Sequence, residues 1–126
     1  MALIGAIADD LTGATTCAVL LARSGARPRV FLGADSVGAG TAASADALVV
    51  STDSRAMSPE AAYKTVRAAA EKLTACGVSY LSKRIDTTLR GNIGAETDAA
   101  LDVMGDGAVA VVVPSMTKSR RIMAGG

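Results

Sequence analysis

Short apolar runs alternate with helical stretches along the chain. Five of these runs are largely apolar over four to six residues, which is typical of strands in a buried parallel sheet. They are Leu3–Ala8, Arg29–Leu32, Ala47–Val50, Val78–Leu81 and Val109–Val113. Because strands alternate with helices, we predict an α/β fold, a doubly wound and mostly parallel sheet of about five strands with flanking helices.

Helical signals separate most of these strands. The clearest follows Ser58, a favourable N-cap residue, and its apolar positions recur every three or four residues until Gly77. Thr16–Ser24 and Ile93–Met104 are predicted to be helices as well. The stretch Gly33–Ala45 has no periodicity, so we predict a loop there.

Composition narrows the class of protein. The 126 residues are 50% hydrophobic with a mean hydropathy of +0.36, which supports one folded domain and excludes a disordered chain. The net charge of +1 gives no electrostatic reason to expect nucleic acid or a membrane as a partner. The N-terminus lacks the basic residues of a signal peptide, and we expect a cytoplasmic protein.

The residue types also limit the chemistry. The chain has no histidine, and its two cysteines lie far apart, so a zinc site of the usual kind is not expected. It has no phosphate-binding P-loop motif either. Catalysis would have to use aspartate, lysine, arginine, threonine and backbone amides. Among these residues we assign no metal ligand.

Polar clusters follow four of the five predicted strands. They are Asp9–Gly13, Thr52–Arg55, Lys83–Asn92 and Pro114–Arg121. Open α/β sheets bind ligands at the carboxyl ends of their strands, so the clusters predict a site for a small polar molecule. Asp9 and Asp10 could orient a hydroxyl, hold a metal or cap the following helix.

The segment Ser82–Asn92 is the most informative of these clusters. Within it, Arg90 could bind a carboxylate through two parallel charged hydrogen bonds. Gly91 would let the backbone approach a ligand closely. The alternative is a solvated basic loop followed by an ordinary helix cap.

These segments resemble the N-terminal domain of the four-carbon acid sugar kinase family. The matching pieces are Ala8–Ala14 (ADDLTGA), Thr52–Arg55 and Lys83–Glu96, in the same order and spacing, so the resemblance covers essentially the whole chain. It implies ATP-dependent phosphorylation of threonate, erythronate or 3-oxo-tetronate, with Mg²⁺ accompanying ATP. In the family, a C-terminal α/β domain provides most of the nucleotide site.

Residues 1–126 are therefore expected to form a single substrate-binding domain. The chain ends at Gly126 with no length for a nucleotide-binding domain, so we expect a fragment or truncated product that is inactive alone. A four-carbon sugar acid is the expected partner, and a homo-oligomer is a further expectation.

Roles for individual residues follow from the resemblance and the residue chemistry together. Asp9, Asp10 and Asp86 are expected to bind substrate hydroxyls, and one of them to accept the proton of the attacking hydroxyl. Arg90, helped by Lys83 or by the Gly91 and Asn92 amides, is expected to hold the substrate carboxylate. The other predicted substrate-binding residues are Thr12, Gly13, Asp53, Arg55, Thr87, Thr88 and Arg121.

Two alternatives from other classes stay open. A phosphoacceptor receiver domain also places acids after its first and third strands, a hydroxyl after its fourth and a lysine after its fifth. Asp9, Asp10, Asp53, Ser82 and Lys118 imitate that pattern, although Lys118 lies several residues beyond its strand. The second alternative is a non-catalytic binding or effector protein.

Overall fold

Four parallel strands form the sheet, in the order β2-β3-β1-β4. The computed structural model describes residues 4–125, without the side chain of Thr41. The strands are β1 (Ile4–Ala8), β2 (Pro28–Leu32), β3 (Ala47–Ser51) and β4 (Tyr80–Arg84). Since all four are parallel and in register, their carboxyl ends lie along one edge, with β1 between β3 and β4. Leu3, predicted to begin β1, lies outside the described residues.

Helices cover both faces of the sheet, as a doubly wound fold requires. They are α1 (Leu11–Arg23), the short α2 (Ala39–Ala42), α3 (Pro59–Ala75) and α4 (Ile93–Met104), with 3₁₀ turns at Ala34–Ser36 and Thr117–Ser119. Successive side chains of a strand point to opposite faces. Ile7 accordingly packs into the core beneath α3 and α4, whereas Ala6 and Ala8 pack towards α1. The predicted α/β class is confirmed.

The predicted fifth strand is wrong. Val109–Val113 forms no strand, and Val109 and Val111 are each 83% exposed. A cleft of about 560 Å³ lies between this segment and β4, lined by residues of both. β-propensity reflects packing on neighbouring strands and helices. An apolar run with no such neighbour therefore remains irregular despite its valines.

Helix α1 and strand β4 also differ from the prediction, by more than the one-residue shifts of β2 and β3. Helix α1 begins at Leu11, not Thr16, because Asp10 caps it and Asp10 Oδ1 accepts a hydrogen bond from the Gly13 amide at 2.7 Å. Strand β4 covers Tyr80–Arg84 instead of Val78–Leu81, which places Lys83 inside the sheet. The predicted loop 33–45 contains α2 and a 3₁₀ turn. Within residues 4–125, the structure has no helix of the length and apolarity that crossing a membrane requires.

Candidate functional site

The loops that follow β1, β3 and β4 converge on a cleft of about 140 Å³. The strand order places these three loops side by side at the carboxyl edge of the sheet. The cleft is lined by Asp10, Thr12, Gly13, Thr16, Arg55, Arg84, Ile85, Asp86 and Arg90. Three arginines and two aspartates thus surround a small volume, which suits a ligand with both a negative charge and hydroxyl groups.

Arg55 joins the loop after β3 to the loop after β1. Its Nε and Nη2 donate to Asp9 Oδ2 and Oδ1 at 2.8 and 3.0 Å, and its Nη1 lies 2.8 Å from Asp10 Oδ2. The hydrogen bonds that Arg55 donates to Asp9 are the main cause of a raised Arg55 pKa, and the charges of Asp9, Asp10 and Asp86 act in the same direction. Asp9 is buried beneath the arginine. The adjacent aspartates therefore hold one guanidinium between them.

Gly91 brings the loop after β4 close to this ion pair. Its φ is +92°, and a Cβ atom there would lie 2.9 Å from Asp9 Oδ2. The next residue, Asn92, donates from Nδ2 to the carbonyl oxygens of Ser54 and Met57 at 3.2 and 2.9 Å. The loops after β3 and β4 are consequently tied together behind the cleft.

Asp86 and Arg90 form the outer wall of the cleft. Arg90 Nε and Nη2 donate to Asp86 Oδ2 and Oδ1 at 2.8 and 3.0 Å. The hydrogen bonds from Arg90 and then from the Thr88 hydroxyl hold the pKa of Asp86 well below its ordinary value. The guanidinium predicted to bind the substrate carboxylate therefore already binds a carboxylate of the protein. That role of Arg90 stays a prediction.

A buried polar chain lies behind the cleft. Lys83 Nζ is 2.5 Å from Glu96 Oε2, and Ser54 Oγ donates to Glu96 Oε1 at 2.5 Å. The Thr52 and Ser54 hydroxyls are 2.8 Å apart, and Thr52 Oγ1 also donates to the carbonyl oxygen of Ala8 at 3.0 Å. Lys83 is thus occupied in the interior and does not line the cleft, so its predicted contact with substrate stays a prediction.

Glu96 is a residue that sequence reasoning missed. It is 1% exposed, and its carboxylate joins α4 to β4 and to the loop after β3. The available signal was its position, because Glu96 lies three and four residues before Ala99 and Ala100 and so shares their buried helix face. An acid at a buried position needs polar partners, here Lys83 and Ser54.

The remaining predicted site residues divide into two groups. Thr12 and Gly13 line the cleft, together with four other residues that the sequence predicted for the site: Asp10, Arg55, Asp86 and Arg90. Thr88 donates to Asp86, and Arg121 Nη1 donates to the hydroxyl of Thr87, outside the cleft lining. Asp53 is exposed, with a φ of +51°, and also lies outside the lining. Arg84 and Thr16 line the cleft although no role was predicted for them.

The aspartates Asp9, Asp10 and Asp86 of the site are each paired with an arginine. Among residues 4–125, no three or more Asp, Glu or Cys side chains are grouped so that they could hold a metal ion.

The profile of the family described as "Sugar-binding N-terminal domain" matches residues 4–126. The chain belongs to this family. The cleft therefore lies in a sugar-binding domain, and the resemblance found in the sequence is confirmed.

Curated relatives of this sugar-binding domain are kinases of four-carbon acid sugars. The D-erythronate kinase of Heliobacterium modesticaldum is 46% identical over 120 residues, which are 95% of this chain and 27% of that protein. The D-threonate kinase of Bordetella bronchiseptica is 40% identical over 125 residues, 98% of this chain and 31% of that protein. The chain thus spans less than a third of the length of these relatives.

A solved structure with the same fold comes from Bordetella bronchiseptica. It is described as a domain of unknown function with bound citrate and as a domain-swapped dimer. It matches with a TM-score of 0.78 at 38% identity, over 86% of this chain and 28% of that one. The similarity confirms the α/β architecture of the sugar-binding domain.

Proposed function

We propose that this sugar-binding domain binds a four-carbon sugar acid in the 140 Å³ cleft, as the substrate-binding part of an ATP-dependent sugar-acid kinase. The main observation in support of this proposal is the cleft itself. Its arginine donors and aspartate acceptors face one small volume at the carboxyl edge of the sheet. The names of the relatives support the substrate class. The volume is well below the ~300–1,000 Å³ of pockets for drug-sized ligands, which suits a four-carbon compound.

Asp10 is the carboxylate that we propose accepts the proton of the attacking hydroxyl. Its side chain is 28% exposed, against 13% for Asp86 and 4% for Asp9, so it is the most accessible of the three to a ligand. The lowered pKa of Asp86 makes that carboxylate a weak base. Asp86 and Asp9 would then fix the arginines and accept hydrogen bonds.

ATP would supply the phosphoryl group, and Mg²⁺ would accompany it. Phosphoryl transfer depends mainly on positioning and on neutralising charge, which arginines and aspartates can provide on the acceptor side. Following the family resemblance, we assign nucleotide and Mg²⁺ mainly to a C-terminal domain, whereas the aspartates of this chain would accept hydrogen bonds from the hydroxyls of the sugar acid. A cytoplasmic location and a homo-oligomeric state belong to the same proposal.

Calorimetric titration of this chain with D-erythronate and D-threonate tests the binding step. We expect binding of at least one acid and much weaker binding of erythritol, which has the hydroxyls but no carboxylate. Binding of beryllofluoride with Mg²⁺, and of no sugar acid, would contradict the proposal and favour a receiver domain.

A chimera tests the catalytic step. This chain would replace the corresponding segment of the Heliobacterium D-erythronate kinase, to which it is 46% identical. We expect kinase activity, and Asp10→Asn should lower kcat by about 10²–10⁴-fold, the usual contribution of a general base. A folded chimera that binds the acid and ATP without turnover would favour the non-catalytic alternative.

A further inference from the structure

The three arginines that line the cleft differ in their partners. Arg55 is held by Asp9 and Asp10, and the guanidinium at position 90 is held by Asp86. Within residues 4–125, Arg84 forms no ion pair with a carboxylate. It is also only partly exposed, so the cleft contains a cation that lacks both a counter-ion and full hydration.

The alternation of β4 explains how this arrangement arises. Lys83 and Arg84 are adjacent in the strand, so their side chains point to opposite faces of the sheet. Lys83 points towards α4, where Glu96 neutralises it, and Nζ also donates to the carbonyl oxygen of Arg84 at 2.8 Å. Arg84 points towards α1, where the nearby core residues are apolar or small. Lys83 thus has a carboxylate of its own, whereas Arg84 shares its cleft with Asp10 and Asp86, which pair with Arg55 and Arg90 instead.

The first turn of α1 is the immediate neighbour of Arg84. A Cβ atom on Gly13 would lie 3.4 Å from Arg84 Cγ, so the arginine stem packs against the start of the helix. The amino end of a helix carries partial positive charge. The Asp10 carboxylate already accepts from the Gly13 amide there, and Arg84 adds a positive charge beside the same helix end.

We infer that Arg84, and not Arg90, is the main binding residue for the carboxylate of the substrate, an inference that rests on the proposed function. Binding an acid at Arg90 would require its two hydrogen bonds to Asp86 to be shared or broken. Binding at Arg84 breaks no ion pair of the described chain and supplies the missing counter-charge. Asp10 and Asp86 would then face the hydroxyl end of the ligand.

Calorimetric titration of Arg84→Gln with the sugar acid tests the inference. Glutamine keeps most of the stem and the hydrogen-bonding end but removes the charge. We expect the Kd of the acid to rise by about 10- to 100-fold, the usual value of charged hydrogen bonds, and to rise less in Arg90→Gln. Arg27→Gln is the matched control. Arg27 forms an exposed ion pair with Asp46 at the amino ends of β2 and β3, the edge of the sheet opposite the cleft.

The outcomes distinguish a failure of the proposed function from a failure of the inference about Arg84 alone. A wild-type chain that binds no four-carbon acid overturns the proposed function and this inference with it. A wild-type chain that binds, with Arg84→Gln within about twofold of it, overturns the inference alone. If Arg84→Gln does not fold, Arg84→Lys replaces it, since a point charge without the planar fork should give an intermediate Kd. An unchanged Kd in that folded variant would likewise count against Arg84.

Discussion

The backbone of the candidate site depends on the absence of a side chain at Gly91. We predict that Gly91→Ala destabilises the fold for two reasons, the φ of +92° and the 2.9 Å approach of a Cβ atom to Asp9 Oδ2. The first costs about 1–2 kcal/mol for a residue with a Cβ atom. The second must displace the Asp9–Arg55 ion pair. Urea unfolding would give the total.

Gly107→Ala separates these two causes. Gly107 has a similar φ of +88°, but a Cβ atom there would meet nothing within 4 Å. The difference between the variants in free energy of unfolding therefore measures the close approach. Equal losses of unfolding free energy in the two variants would show that a Cβ atom at position 91 does not disturb the Asp9–Arg55 ion pair.

A second prediction at the residue scale concerns the charge of Asp86. Because Arg90 and Thr88 lower its pKa in the folded state, Asp86 adds to stability above the ordinary aspartate pKa of about 3.9 and loses that contribution as the pH falls below it. We predict that Arg90→Gln raises the pKa of Asp86 towards the ordinary value. Carbon-detected NMR titration of the carboxylates would measure it.

The control is the exposed pair of Arg27 and Asp46. Hydrogen bonds from Arg27 lower the pKa of Asp46 to about 2, so Arg27→Gln should raise that pKa and leave Asp86 unchanged. An Asp86 carboxylate that titrates near 3.9 in the wild type would contradict the ion pair.

At the scale of elements, the buried pair of Lys83 and Glu96 connects β4 to α4. Their side chains are only 9% and 2% exposed. Removing one partner leaves an unpaired buried charge, and we predict that Lys83→Met and Glu96→Gln each cost about 3–5 kcal/mol. The double variant should cost less than the sum, because no buried charge remains. Chemical denaturation of the four proteins measures this coupling.

The helix-surface pair of Arg67 and Glu71 provides the comparison. Its atoms are 3.0 Å apart, but its side chains are 47% and 56% exposed. Breaking that pair should cost no more than about 0.5 kcal/mol. Strict additivity at Lys83 and Glu96 would mean that their ion pair does not form.

Sequence patterns sufficed for the elements whose signals are local. Ser58 caps α3 as predicted, with Oγ accepting from the Ala61 amide at 3.3 Å, and α4 begins and ends where expected. The clusters after β1, β3 and β4 also meet at one edge, because parallel strands in register bring their carboxyl ends together. These features require only periodicity, capping and the parallel sheet.

Features that depend on which side chains meet could not be predicted from the pattern. The one-residue difference between Lys83 and Arg84 decides which cation is buried and which faces the cleft, and it depends on where β4 begins. The pairing of Arg90 with Asp86 follows from a loop whose shape includes Leu89 at a φ of +61°. Such contacts are set by tertiary packing and not by local propensity.

At the scale of the whole molecule, the sheet has an exposed side next to β4. β4 is an edge strand of the sheet and pairs only with β1 among the described strands. Tyr80 at its start is 71% exposed, and the apolar segment Val109–Val113 runs nearby without pairing. An open strand edge beside exposed valines is a surface on which chains associate.

We therefore predict concentration-dependent self-association through this side of the sheet. Val111, which is 83% exposed, can be replaced in Val111→Lys without loss of core packing, and the added charge should oppose pairing at the edge. Light scattering after size-exclusion chromatography should show a larger mass for the wild type at high concentration and a monomer for the variant. Val19→Lys is the control. Val19 is an exposed valine too, at 57%, but it lies on α1 and not beside the edge of β4. If the α1 variant abolishes association and the edge variant does not, chains meet through the helix face, and the open side of β4 has no part in assembly.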